Sequence, residues 1–106
     1  MTLSFLAFLY PKPDRVARVE EIAQEIVDYV KENEPGVVQY QWFRVKDAET
    51  PTIVVWETYA DQAAVELHTG SAKTAWLMET EKREENFAKP FNFLTLENFI
   101  GWPSKQ

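Results

Sequence analysis

No cysteine occurs among the 106 residues, which excludes disulfides, thiolate metal sites and cysteine nucleophiles. Histidine is almost as scarce, with a single copy at His68. One imidazole without a thiol leaves only carboxylates to complete a metal shell, so no metal is expected. Glycine appears three times, at Gly36, Gly70 and Gly101. Such wide spacing builds no phosphate-cradling loop, and no nucleotide cofactor is expected. Eleven Lys and Arg are scattered among seventeen Asp and Glu, for a formal net charge of -6. Neither a nucleic acid nor an anionic membrane surface is therefore an expected partner. No apolar run approaches the ~20 residues of a membrane-spanning helix. The apolar stretch Leu3 to Tyr10 has no basic leader or small-residue cleavage site, and Pro11-Lys12-Pro13 interrupts it. It reads as a strand of the mature protein, with the cytoplasm as the expected address.

What is present fits one compact domain over residues 1–106: 45% of the residues are hydrophobic and 26% charged, the balance of a globular chain. Residues 3 to 10 are apolar on both alternating faces, with Leu3, Phe5 and Leu9 on one and Leu6, Phe8 and Tyr10 on the other. Asp14 is a candidate N-cap for a helix in which Val16, Val19, Ile22, Ala23, Ile26 and Val30 recur at helical spacing until Pro35-Gly36 stops the pattern. Val37 to Val45 reads as a half-exposed strand with Val38, Tyr40 and Trp42 on one face. After a hairpin loop at Asp47 to Pro51, Thr52 to Tyr59 is a third strand, apolar on both sides. Asp61 caps a second helix that carries Ala64, Leu67 and His68 on one stripe. Gly70-Ser71 breaks that helix, and Ser71 caps a continuation whose buried side holds Ala72, Ala75 and Trp76. The charged run Glu79 to Glu85 is a solvated helical face or a mobile crossover, and Phe91 to Ile100 is the fourth strand. The order β-α-β-β-α-β predicts an α+β, ferredoxin-like fold, a four-stranded antiparallel sheet with its helices on one face. The uncovered face would then be apolar, and a second copy packing sheet to sheet, an isologous homodimer, is its economical cover.

The stripe that carries His68 points a titratable ring toward the core side of the fold, where an imidazole is suited to acid–base work near neutrality. Phe8, Tyr40, Trp42, Trp56 and Trp76 are the candidate walls of a substrate cavity around it. A simpler account exists for each. A lone inward histidine is commonly a packed, hydrogen-bonded core residue, and tryptophans commonly serve core or interface packing. Glu57, at the end of the third strand, is a second acid–base candidate ranked below His68, because a strand-end carboxylate usually pairs with a cation or faces solvent. Ser71 is spent as a helix cap, and no Ser/His/Asp spacing supports hydrolysis.

Phe8-Leu-Tyr-Pro-Lys-Pro13, Glu34-Pro-Gly36 before Val38-Gln-Tyr40, Thr52-Ile-Val-Val-Trp-Glu-Thr-Tyr59 and the spacing from His68 to Ser71 together resemble the antibiotic biosynthesis monooxygenase family. The resemblance fades after Met78. It implies a dimeric α+β barrel that oxygenates quinols, anthrones or related electron-rich aromatics without flavin, haem or metal. It also carries the family's helix-two histidine onto His68, with an aromatic after the serine at Trp76. The haem-degrading branch of the superfamily is disfavoured. That branch is marked by an Asn in strand one, a Trp before the serine and a later His, whereas strand one here has no Asn, the pre-serine position is His68, and Met78 stands where the later His would be. The expected activity is thus a cofactor-independent monooxygenase acting with molecular oxygen on a phenolic, quinol-like or polyketide-derived aromatic. The alternatives are a non-enzymatic dimeric ligand-binding or stability module, and a cofactor-free cyclase or isomerase.

Overall fold

The computed structural model describes residues 2–103. The chain forms β1 (Leu3–Leu9), α1 (Val16–Asn33), β2 (Val37–Arg44), β3 (Ile53–Tyr59), α2 (Gln62–Thr69), α3 (Ala72–Glu84) and β4 (Asn92–Leu96). The four strands make one antiparallel sheet in the order β2-β3-β1-β4. This is the ferredoxin-like arrangement that the alternation of patterns predicts. Among the described residues no helix is long and apolar enough to cross a membrane.

Strand parity decides what each residue does. In β3, Ile53, Val55, Glu57 and Tyr59 are buried while Val54, Trp56 and Thr58 are only partly so. Register aligns Glu57 with Phe5 on β1 and Tyr40 on β2, and Val55 with Ala7 and Trp42. That set faces the helices. On α1 the buried residues are Val19, Ile22, Ile26 and Val30, the three-and-four spacing of an apolar stripe. Val19 joins Ala7, Leu9, Ile53, Val55 and Phe87 in one cluster. Ile22, Ile26 and Val30 form a second, against which Val37, Tyr40, Trp42, Trp76 and Leu77 pack. The opposite parity, Leu6, Phe8, Val54, Trp56, Phe43, Leu94 and Leu96, lies on the face without helices, where Phe43, Leu94 and Leu96 are exposed.

Five local expectations are revised. Arg15, not Asp14, occupies the N-cap of α1, and no side chain caps it. Val38 does not share a face with Tyr40 and Trp42. The β2–β3 register shifts between Val37 and Gln39, so Val38 is 58% exposed while Val37 packs inward, as one extra residue in a strand requires. Leu67 is 54% exposed, because the inward side of α2 is Ala64, Val65 and His68. The inward side of α3 is Lys73, Thr74, Trp76, Leu77 and Thr80, with Ala72 and Ala75 exposed. β4 is shorter than Phe91 to Ile100, ending at Leu96.

The charged run after Met78 is helical to Glu84 and firmly anchored. Arg18 on α1 donates to both oxygens of Glu84 at 2.8 and 3.0 Å. The Glu81 carboxylate accepts from the backbone N–H groups of Asn86 and Phe87, and Glu85 takes the left-handed conformation (φ 51°) that ends the helix. Asn86 is fully buried and accepts from Arg15 Nε at 2.8 Å. Pro11 bridges Phe87, with Ala88 N–H donating to Tyr10 O at 2.7 Å. The crossover is thereby tied to the end of β1.

Candidate active site

The two apolar clusters do not close on each other completely. A cavity of about 330 Å³ remains between the sheet and the helices, within the range of small-molecule sites. Its sheet wall is Phe5, Tyr40, Trp42, Glu57 and Tyr59, with Phe91, Phe93 and Thr95 from the β4 side. Its helix wall includes Ile26, Val30 and Glu34 from the end of α1, His68 from α2, and Thr74, Leu77 and Met78 from α3. Phe93 (62% exposed) and Met78 (51%) mark where the cavity meets solvent.

His68 reaches this wall through three local devices. Asp61 caps α2, its side chain accepting from Ala64 N–H at 2.9 Å. Gly36 lets α2 lie against the turn that follows α1, since a Cβ there would stand 2.6 Å from the Ala64 Cβ. One turn beyond Ala64, His68 Nδ1 then meets Glu34 Oε1 at 2.7 Å. The Glu34 side chain is 3% exposed and that of His68 15%. Glu34 Oε2 is buried with no partner among the described residues, so the imidazole supplies this carboxylate's only side-chain hydrogen bond. Tyr40 and Tyr59 flank the ring, each with its centroid 5.5 Å away. With Nδ1–H donated to Glu34, the lone pair sits on Nε2, which makes no hydrogen bond to the described protein. A carboxylate that fixes the tautomer in this way leaves the other nitrogen able to accept a proton.

A second buried carboxyl lines the cavity from the sheet side. Glu57 Oε1 accepts from the Tyr59 hydroxyl at 2.5 Å. Burial pushes the Glu57 carboxyl up from its ordinary range, partly offset by the Tyr59 bond and by His68. Burial, with the Glu57 charge, likewise raises both Tyr40 and Tyr59. Both phenols keep their protons, and that of Tyr59 is donated to Glu57.

The sequence-selected residues divide. His68, Tyr40 and Trp42 line the cavity. Phe8 and Trp56 do not: their parity puts them on the helix-free face, opposite Val54 and Leu6 respectively. Trp76 is also outside, packed on Ile22, Ile26 and Val30 of α1, with Lys73 Nζ 4.3 Å above its ring. Sequence reading missed Glu34, Phe5, Tyr59, Phe91 and Phe93. The available signal was parity, since Phe5 and Tyr59 share the face of buried Ala7 and Val55. Among the described residues, no three His, Asp or Glu side chains converge as a metal site would need.

The family model for antibiotic biosynthesis monooxygenases matches residues 2–76. The chain belongs to this family. The match takes in β1 through the first turn of α3, and so includes Glu34, Tyr40, Glu57, Tyr59 and His68, but not the β4 side of the cavity. A Caulobacter crescentus CB15 protein, provisionally named an antibiotic biosynthesis monooxygenase, is 25% identical, with a TM-score of 0.84 over 93% of this chain and 91% of that one. A Nitrosomonas europaea protein of the same provisional name is 16% identical, with a TM-score of 0.82 over 98% and 94%. A Mycobacterium tuberculosis protein is 19% identical, with a TM-score of 0.78 over 95% and 98%. No curated protein matches the chain.

Proposed function

We propose that this family member is a cofactor-free monooxygenase of phenolic, quinol-like or polyketide-derived aromatics, with His68 as the base. The observation that carries the reading is the buried Glu34 holding His68 Nδ1 at 2.7 Å on the wall of an apolar, aromatic-lined cavity. Triplet oxygen reacts slowly with closed-shell organic molecules, and a substrate anion is the electron donor it needs. Nε2 of His68 takes the phenol or enol proton, while Glu34 stabilises the imidazolium that results. Tyr40, Trp42, Phe5 and Phe91 hold a flat substrate and keep water from reactive intermediates. One oxygen atom enters the product. The other leaves as water with two hydrogens from the substrate, which supplies all the electrons.

Metal-stripped protein with anthrone or a hydroquinone, with and without oxygen, tests this reading by product mass. Product formed only in air, carrying one oxygen atom from labelled O₂, is the expected result. Binding without oxygen consumption would leave a ligand-binding module instead.

The working unit in this reading is a homodimer. Leu6, Phe8, Trp56, Leu94 and Leu96 form an apolar layer that no helix covers, and a second copy of the same layer is its natural complement. Sedimentation should give a mass twice the 12.4 kDa of the chain. A species of single-chain mass at micromolar concentration would refute the pairing.

A further inference from the structure

The proposed oxygenation uses one proton station, His68 with Glu34, and leaves the second acid in the cavity without a task. Glu57 sits in mid-strand between Phe5 and Tyr40 and is 8% exposed. Among the described residues it makes no ion pair with Lys or Arg, and its side-chain hydrogen bond comes from Tyr59. Packing alone does not account for it, since an apolar residue in a central strand costs far less than a carboxyl without a cation. Its position on the sheet wall, with His68 entering the same cavity from the helix side, gives the cavity two separate titratable stations, an arrangement typical of acid–base catalysis.

We propose that Glu57 is a second catalytic residue, a proton donor to the carbonyl oxygen of an enolisable aromatic ketone whose C–H proton His68 removes. The inference rests on the reading of His68 as a base. In the step, the C–H bond breaks and its proton goes to Nε2 of His68. The bonding pair becomes the new C=C bond, the C=O π pair moves onto oxygen, and that oxygen takes the Glu57 proton. Nothing is oxidised or reduced, and the product is the enol tautomer. Glu57 is left as a carboxylate and His68 as an imidazolium, and proton return through water resets the pair. Glu57 thus serves the ketone members of the proposed substrate class, for which the enol is the electron-rich form that oxygen attacks.

The groups facing Glu57 are Tyr59 on its own strand, Tyr40 on β2, Glu34 at the end of α1, His68 on α2 and Lys73 on α3, while β1 and β4 contribute the uncharged Phe5, Phe93 and Thr95. Lys73 is engaged elsewhere, with Glu25 at 3.4 Å and the Trp76 ring. Both tyrosines are held neutral by burial. Loss of the Glu57 proton is therefore the expected alkaline limb of the exchange rate.

The probe is 1-tetralone, a fused aryl ketone with one enolisable CH₂, in D₂O without oxygen, with deuterium uptake followed by NMR. The wild-type chain should accelerate exchange, and Glu57→Gln, which keeps the volume and an acceptor for Tyr59, should slow it at least about tenfold and abolish the alkaline limb. Tyr59→Phe removes a bond that favours the ionised carboxyl, so the limb should move to higher pH. Absence of wild-type exchange, or an unchanged limb in folded Glu57→Gln, overturns the proposal. A Glu57→Gln protein with full oxygen uptake and full exchange removes Glu57 and leaves the oxygenase reading standing. Glu57-dependent exchange without oxygenation of any aromatic does the reverse.

Discussion

Replacing His68 with asparagine is expected to lower oxygen uptake by about 10²–10⁴-fold, the usual contribution of a general base, while the melting temperature stays near that of the wild type. The asparagine amide stands where Nδ1 does and still donates to Glu34, but nothing replaces Nε2. His68→Ala should lose the same activity and also melt earlier. It strands a carboxylate that is 3% exposed and whose Oε2 already lacks a partner. Leaving a buried acceptor without its donor costs about 1–3 kcal/mol, and more when the acceptor is charged. Oxygen electrode traces and thermal melts of the two variants separate the roles. Equal activity in wild type and His68→Asn would remove Nε2 from the chemistry. Equal melting of the alanine and asparagine variants would mean that Glu34 gains nothing from the ring. Glu34→Gln completes the set: with the tautomer no longer fixed, turnover should fall by less than in His68→Asn.

The fold was largely legible because its signals are local. Alternation in Ile53 to Tyr59, the three-and-four stripe from Val19 to Val30, and the Asp61 and Ser71 caps each report on a few neighbouring residues, and each corresponds to an observed element. The site was legible only in part, because pairing across the fold leaves no local trace. Glu34 and His68 are 34 residues apart, and Glu34-Pro-Gly reads as an ordinary solvated helix end. Alternation sorted β1 and β3 into two sets of residues but did not say which set faces the helices. Both sets are apolar, since the helix-free face is apolar too. Composition therefore offers Phe8 and Trp56 as cavity walls no less than Phe5 and Tyr59. The Val38 bulge was hidden similarly: one extra residue reverses parity within β2 without altering its composition. The anchoring of the charged segment depended on Arg15 and Arg18, far back in the chain.

Gly36→Ala should be as damaging to function as a change inside the cavity, although Gly36 does not line it. The added methyl would stand 2.6 Å from the Ala64 Cβ, and a methyl on a helix cannot rotate away. One backbone must therefore retreat. Gly36 O accepts from Ala60 N–H at 2.7 Å, which ties the turn to the end of β3, so α2 is the element free to move. His68 lies one turn beyond Ala64, and Glu34 two residues before Gly36. A shift of even about 1 Å stretches the Glu34–His68 contact out of hydrogen-bond range, and misplacement of that size is enough to cost about 10²-fold in rate. Overpacking should lower stability by about 1–3 kcal/mol as well. The decisive comparison is the double variant Gly36→Ala with Ala64→Gly. Ala64→Gly alone costs about 1 kcal/mol as a helix glycine but reopens the space. If the close approach is what brings α2 onto Glu34, the double variant recovers turnover that Gly36→Ala loses, despite carrying two individually destabilising changes. Additive losses would instead mean that the Glu34–His68 pair forms independently of this contact.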